Sequence, residues 1–114
     1  MTSREHIEAC ALALPAATKV VQWGGSDVYK VGGRVFAVCG LGGGLGFKVS
    51  EIGFVVLTDD GGPARQAPYF AKGQWVTVDL DDVDDADVAG WLATAHSLIA
   101  GKLTRKLRAE LGLT

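Results

Sequence analysis

Val28-Tyr29-Lys30-Val31-Gly32-Gly33-Arg34-Val35-Phe36-Ala37 is the stretch whose reading decides the fold. Two runs of β-branched and aromatic residues flank a glycine pair, the signature of a two-residue hairpin whose turn needs positive φ. The register that closes this turn sets Val31 against Arg34, Lys30 against Val35 and Tyr29 against Phe36. It predicts an aromatic cross-strand contact on one side of the sheet, and it puts Lys30 and Arg34 on opposite faces. Both faces of Val35–Cys39 are apolar, so this strand is expected near the sheet centre with cover on both sides.

Reading outward, Val20–Trp23 is a preceding strand, separated by a Gly24-Gly25-Ser26-Asp27 turn. The strand that begins at Arg34 runs to Leu41, and after a glycine-rich turn Leu45–Val49 pairs back. Ser50–Leu57 reads two ways: Phe54-Val55-Val56-Leu57 favours a strand, whereas Ser50-Glu51 suits a helix start. A polar loop covers Thr58–Gln66, and Gln74–Leu80 alternates as a strand around Trp75, Val76 and Val78.

Helices bracket this meander. Ile7, Cys10, Ala11 and Leu14 recur at helical spacing over residues 3–14, with Thr2 or Ser3 as cap, a Thr2-x-x-Glu5 capping box, and Pro15 as the stop. Val88, Trp91, Leu92, Ala95, Leu98, Ile99 and Leu103 define a final amphipathic helix of about five turns beginning near Asp84. Lys102, Arg105, Lys106 and Arg108 occupy its last two turns, where cations satisfy free carbonyls. The order predicts an α+β fold with helices segregated to one face of an antiparallel sheet.

The chain has 114 residues, enough for one core, with a net charge of −2 and a pI near 5.6. That charge excludes a protein that coats nucleic acid non-specifically, since such binding rests on many cations meeting phosphates. It leaves room for a local basic face. Arg4, Glu5 and His6 interrupt any N-terminal apolar run, and no window reaches the roughly 18 apolar residues of a membrane span. Together with two isolated cysteines, Cys10 and Cys39, this predicts a cytoplasmic protein with reduced thiols.

No catalytic constellation emerges. Gly40–Gly46 lacks the Lys-Ser/Thr and the following helix of a P-loop, so it reads as a turn. His6 and Cys10 share a helical face but lack a third ligand, and His96-Ser97 lacks an acid partner for a triad. The aspartates between Asp79 and Asp87 suit a helix N-terminus, with cation binding as the competing reading. Trp91 belongs to the core stripe. Trp23 and Trp75 lie at strand ends, where an exposed ring beside lysines would suit base stacking. No cofactor, no metal and no enzymatic activity are expected.

Leu14-Pro15, Trp23-Gly24, the Val28–Ala37 hairpin, Phe47-Lys48, Pro68-Tyr69, Trp75-Val76-x-Val78, and His96-Ser97 leading to Lys102-Leu103-x-Arg105-Lys106-Leu107 follow one another in this order. Over nearly the whole chain this order and spacing resembles the MmcQ/YjbR-like proteins. The resemblance implies one domain over residues 1–114 with a CyaY-like fold, an antiparallel sheet packed against the N- and C-terminal helices, and a helix over 50–57. Thr104 departs from the family's Lys-Leu-Pro-Lys-Lys ending. The family is generally labelled DNA-binding through a double-wing arrangement of its hairpins. The resemblance thus implies double-stranded DNA as partner, contacted by Lys30, Arg34, Lys48 and Lys72 on wings and loops. Arg105, Lys106 and Arg108 would add contacts from the final helix, and Trp75 a stacking platform. The alternative is a module that binds a small molecule or a protein partner between the sheet and the Tyr69–Trp75 loop.

Overall fold

The structure, a computed structural model, describes residues 1–40 and 44–113. Helix α1 (Arg4–Leu12) leads into β1 (Ala17–Gln22), β2 (Ser26–Val31), β3 (Arg34–Cys39) and β4 (Gly44–Lys48). Helix α2 (Glu51–Thr58), β5 (Ala64–Gln66), β6 (Trp75–Asp79), α3 (Asp85–Ala100) and α4 (Arg105–Glu110) complete the chain. The strands form one antiparallel sheet in the order β1-β2-β3-β4-β6-β5.

The hairpin holds its predicted register at the turn, Val31 opposite Arg34 and Lys30 opposite Val35, and then shifts by a bulge. Tyr29 therefore pairs with Ala37 rather than Phe36. The extra residue turns Phe36 toward α3, where its ring meets His96 edge-on at 5.4 Å. The Tyr29 and Phe36 rings still touch, tilted, with centroids 6.4 Å apart.

Helices α1 and α3 cover the sheet face that carries Tyr29, Ala37, Leu45, Phe47, Val76 and Val78, and Ile7, Val88, Leu92 and Ala95 close the core against it. Val28 and Val38, which alternate with those positions, are also fully buried, so β3 is covered on both faces as its composition predicts. Gly44 permits the close approach of β4 to β6: a Cβ there would stand 2.5 Å from the Val78 carbonyl oxygen.

Several boundaries differ from the sequence reading. Ser3, not Thr2, caps α1, its Oγ accepting from the His6 N–H at 3.1 Å, while the buried Thr2 donates its own N–H to the Leu80 carbonyl. Strand β3 ends at Cys39, and Leu41 lies outside the described residues. Ser50 caps α2 by accepting from the Gly53 N–H at 3.0 Å, so 50–57 is helical; Phe54 and Leu57, three apart, pack on the core. The expected polar loop contains β5, which borders β6. The last helix breaks at Gly101 after four turns, and Thr104 starts a separate one by accepting from the Leu107 N–H at 3.1 Å. Arg105, Lys106 and Arg108 thus belong to α4 and not to the C-terminus of α3.

Candidate nucleic-acid interface

Strand direction decides which side chains meet. In an antiparallel sheet, the β2–β3 turn, the end of β4 and the β5–β6 connection must all lie at one end, and here they do. The two hairpins are three strand spacings apart, about 14 Å at the usual interstrand distance. Helix α3 runs across β3 and β4 and finishes at this same end. Its exit is fixed by the hairpin tip: a Cβ on Gly32 (φ +58°) would fall 2.6 Å from Leu103 Cδ1.

Arg34, opposite Val31 on the face that α3 covers, is thereby brought to the same end as Lys102 and Arg105, which flank Leu103, whereas Lys30 points to the other face of the sheet. Lys48 and Lys72 reach the same end through β4 and the β5–β6 connection. Arg34, Lys72, Lys102, Arg105 and Lys106 are exposed, and among the described residues none of them forms an ion pair. Lys30 is half-buried. Glu51, at the start of α2, is an acidic side chain that the topology brings to this end.

The opposite end is acidic. It gathers Asp79, Asp81, Asp82, Asp84, Asp85 and Asp87 around the start of α3, about 24 Å from that helix's exit at the usual rise per residue. Cations elsewhere are already matched: Arg4 with Asp27 at 3.2 Å, Arg65 with Asp79 at 3.3 Å, and Lys19 with Glu8. Asp84 faces the Met1 amino group at 3.7 Å and Asp85 faces His6 at 3.8 Å. Among the described residues, no three His, Cys, Asp or Glu side chains gather as a metal site would require.

Three proposed contact residues sit differently from expectation. Lys48 is buried, since β4 is an inner strand, and its Nζ donates to Gln74 Oε1 at 3.2 Å. Burial pulls its pKa below the usual lysine range, the nearby Lys102 charge lowers it further, and Glu51 partly opposes both. Trp75, opposite Lys48 on β6, is 8% exposed and lies parallel to Phe70 with centroids 4.3 Å apart. It offers no free face for a base. Arg108 is half-buried, its Nε shielded from water and without a hydrogen-bond partner among the described residues.

The exposed aromatic on this end is Tyr69, at 97%. Its backbone is left-handed, φ +69°, a costly state for a bulky residue. Gln66 holds the connection in shape: its Nε2 donates to the carbonyls of Ala67 (2.9 Å) and Phe70 (3.3 Å), and its Oε1 accepts from the Gly73 N–H (3.0 Å). Pattern reading points to Trp75 because tryptophan ends a strand there. The local signal for Tyr69 is its place after Pro68 in a polar connection, away from any periodic apolar stripe.

The remaining candidates are structural. His96 is buried, and its Nε2 must carry the proton, because it donates to the Pro15 carbonyl at 2.7 Å. Cys10 Sγ lies 3.4 Å from His6 Nε2, and both cysteines are free. An apolar cavity of about 220 Å³ lies between α2 and α3, floored by Phe47 stacked on Trp91 at 5.3 Å. It is distinct from the place expected for a pocket, under the Tyr69–Trp75 loop. Ile52, Val55 and Val56 beside it are exposed.

Comparison with known families settles the lineage, since the family model described as YjbR matches residues 12–98. The chain belongs to the YjbR family. The match covers β1 through most of α3, so the α4 cations of this YjbR protein lie beyond it. The crystal structure of Deinococcus radiodurans protein DR2400, which carries the DUF419 domain, is similar in fold, with a TM-score of 0.88. It is 24% identical, over 100% of this chain and 91% of that one. No curated protein matches the chain. Among the described residues of the YjbR protein, no helix is long and apolar enough to cross a membrane.

Proposed function

We propose that this YjbR-family domain is a non-enzymatic DNA-binding module whose contact surface is the sheet end bearing both hairpin tips and the α3–α4 junction. The observation that carries the reading is the segregation of charge. Although the chain is net −2, five exposed cations that form no ion pair among the described residues share one end, while the carboxylates concentrate at the other. A dipolar molecule of this kind approaches a polyanion with its basic end leading. Contacts by Arg34, Lys72, Lys102, Arg105 and Lys106 would fall mainly on phosphates, which fix position and carry no sequence information.

Fluorescence anisotropy with a labelled duplex tests this. If four of the five cations neutralise phosphates, log K falls against log salt with a slope of about −3.6, a loss of about 150-fold between 50 and 200 mM salt. A duplex that stays unbound at low salt, in the tens of micromolar range typical of weak contacts, removes the proposal. The apolar cavity between α2 and α3 supports a second reading, a small-molecule or protein-binding module, whose affinity would barely respond to salt.

A further inference from the structure

The DNA surface carries one feature that phosphate binding does not require. Tyr69 is almost wholly exposed, at 97%, at the tip of the β5–β6 wing, with Lys72 three residues away. Its exposure is not that of a loose loop. Four hydrogen bonds involving the Gln66 side chain, three donated and one accepted, fix the connection around it, and the stacked Phe70–Trp75 pair anchors the connection from below. The left-handed backbone at Tyr69 costs roughly 1–2 kcal/mol relative to glycine. Burial returns nothing for that cost, and strain of this kind concentrates where function needs a side chain held in place.

An aromatic ring held out beside unpaired cations can do one thing that the cations cannot, which is to stack on the face of a base. The bases of a closed duplex are stacked on each other and offer a ring no face, whereas a single strand does. We propose that Tyr69 is a stacking contact for an unpaired base, so that the surface takes DNA with open strands in preference to closed duplex. This inference rests on the DNA-binding reading and extends it to the form of DNA bound. The backbone that carries the ring is held before binding, so the stack does not have to order the loop. Any nucleobase has the required face, so the preference is for strand state and not for sequence.

The experiment compares the affinity of the full chain for oligo-dT and for a duplex closed at both ends by non-nucleotide linkers, at one salt concentration, with Tyr69→Ala and Tyr69→Phe variants. Tyr69 packs against nothing, so both variants keep the fold, as circular dichroism would verify. Wild type is expected to prefer oligo-dT. Tyr69→Ala should lose about 5- to 150-fold for oligo-dT, the worth of one base stack, with its duplex affinity unchanged. Tyr69→Phe, which keeps the ring face, should restore oligo-dT binding. If Tyr69→Ala binds oligo-dT as wild type does, or loses both DNAs equally, the stacking role is wrong while DNA binding stands. If wild type binds neither, both readings fail together.

Discussion

Gly32→Ala tests the joint on which the proposed surface depends. Gly32 sits in the left-handed region at φ +58°, and an added Cβ would meet Leu103 Cδ1 at 2.6 Å and Cδ2 at 2.9 Å. Leu103 is 6% exposed and packed in the core, so its methyl groups cannot simply swing away. The backbone cost of alanine in this conformation is roughly 1–2 kcal/mol, and overpacking adds about 1–3 kcal/mol. Gly33 separates the two contributions. Its φ is +79°, yet nothing lies within 4 Å of its would-be Cβ, so Gly33→Ala carries the backbone cost alone. Urea denaturation should therefore rank the variants, with Gly32→Ala less stable than Gly33→Ala by about 1–3 kcal/mol. Shortening Leu103 to alanine in the Gly32→Ala background should cost less than in wild type, because the clash disappears with the methyl groups. Equal stabilities for Gly32→Ala and Gly33→Ala would show that the hairpin tip does not brace the α3–α4 junction.

Three further outcomes follow from buried polar groups and caps. Tyr29 is fully buried with no partner for its hydroxyl among the described residues, so Tyr29→Phe should stabilise the fold by about 1–2 kcal/mol, read from the urea midpoint. Burial also raises the Tyr29 pKa well above 10, so above pH 10 the unfolded chain loses the phenol proton first and stability falls; the phenylalanine variant should lack that alkaline loss. Lys48 has the opposite sign: its pKa is lowered, the unfolded chain binds the extra proton, and stability should rise with pH in the window just below 10.5. Lys48→Met should flatten that rise in a pH series of thermal melts. Thr104→Ala removes the α4 cap and should cost about 1 kcal/mol, with faster amide exchange confined to α4 if that helix opens separately.

The sheet was legible where local chemistry and topology agree. Gly32-Gly33 fixes its turn whatever surrounds it, and the all-apolar Val35–Cys39 run announces an inner strand. The bulge at Phe36 was not legible, because it answers to the His96 ring, which is sixty residues away along the chain. Strand β5 has three residues and exists through its pairing with β6, too short to leave a periodic signal. The break at Gly101 had its signals in the sequence, a glycine followed by Thr104 ahead of Leu107, but the apolar spacing through Leu103 masked them. At the site, pattern reading could name cations but not sort them. Arg34 and Arg105 remain outside because one flanks a turn and the other follows a helix break. Lys48 and Trp75 are drawn in because they face each other across two inner strands. Tyr69 owes its display to Gln66 and to a strained φ, neither of which spacing records.

The central claim is that position, and not total charge, confers DNA affinity. Two double variants isolate it: Arg105→Ala with Lys106→Ala at the basic end, and Lys19→Ala with Arg65→Ala at cations already paired with carboxylates. Each moves the net charge from −2 to −4, two positive charges fewer. Measured as the slope of log K against log salt for one duplex, the first pair should flatten the wild-type slope by about 1.8 and the second should leave it nearly intact. Equal slopes for the two variants would mean that the molecule responds to bulk charge, and the basic end would have no special role.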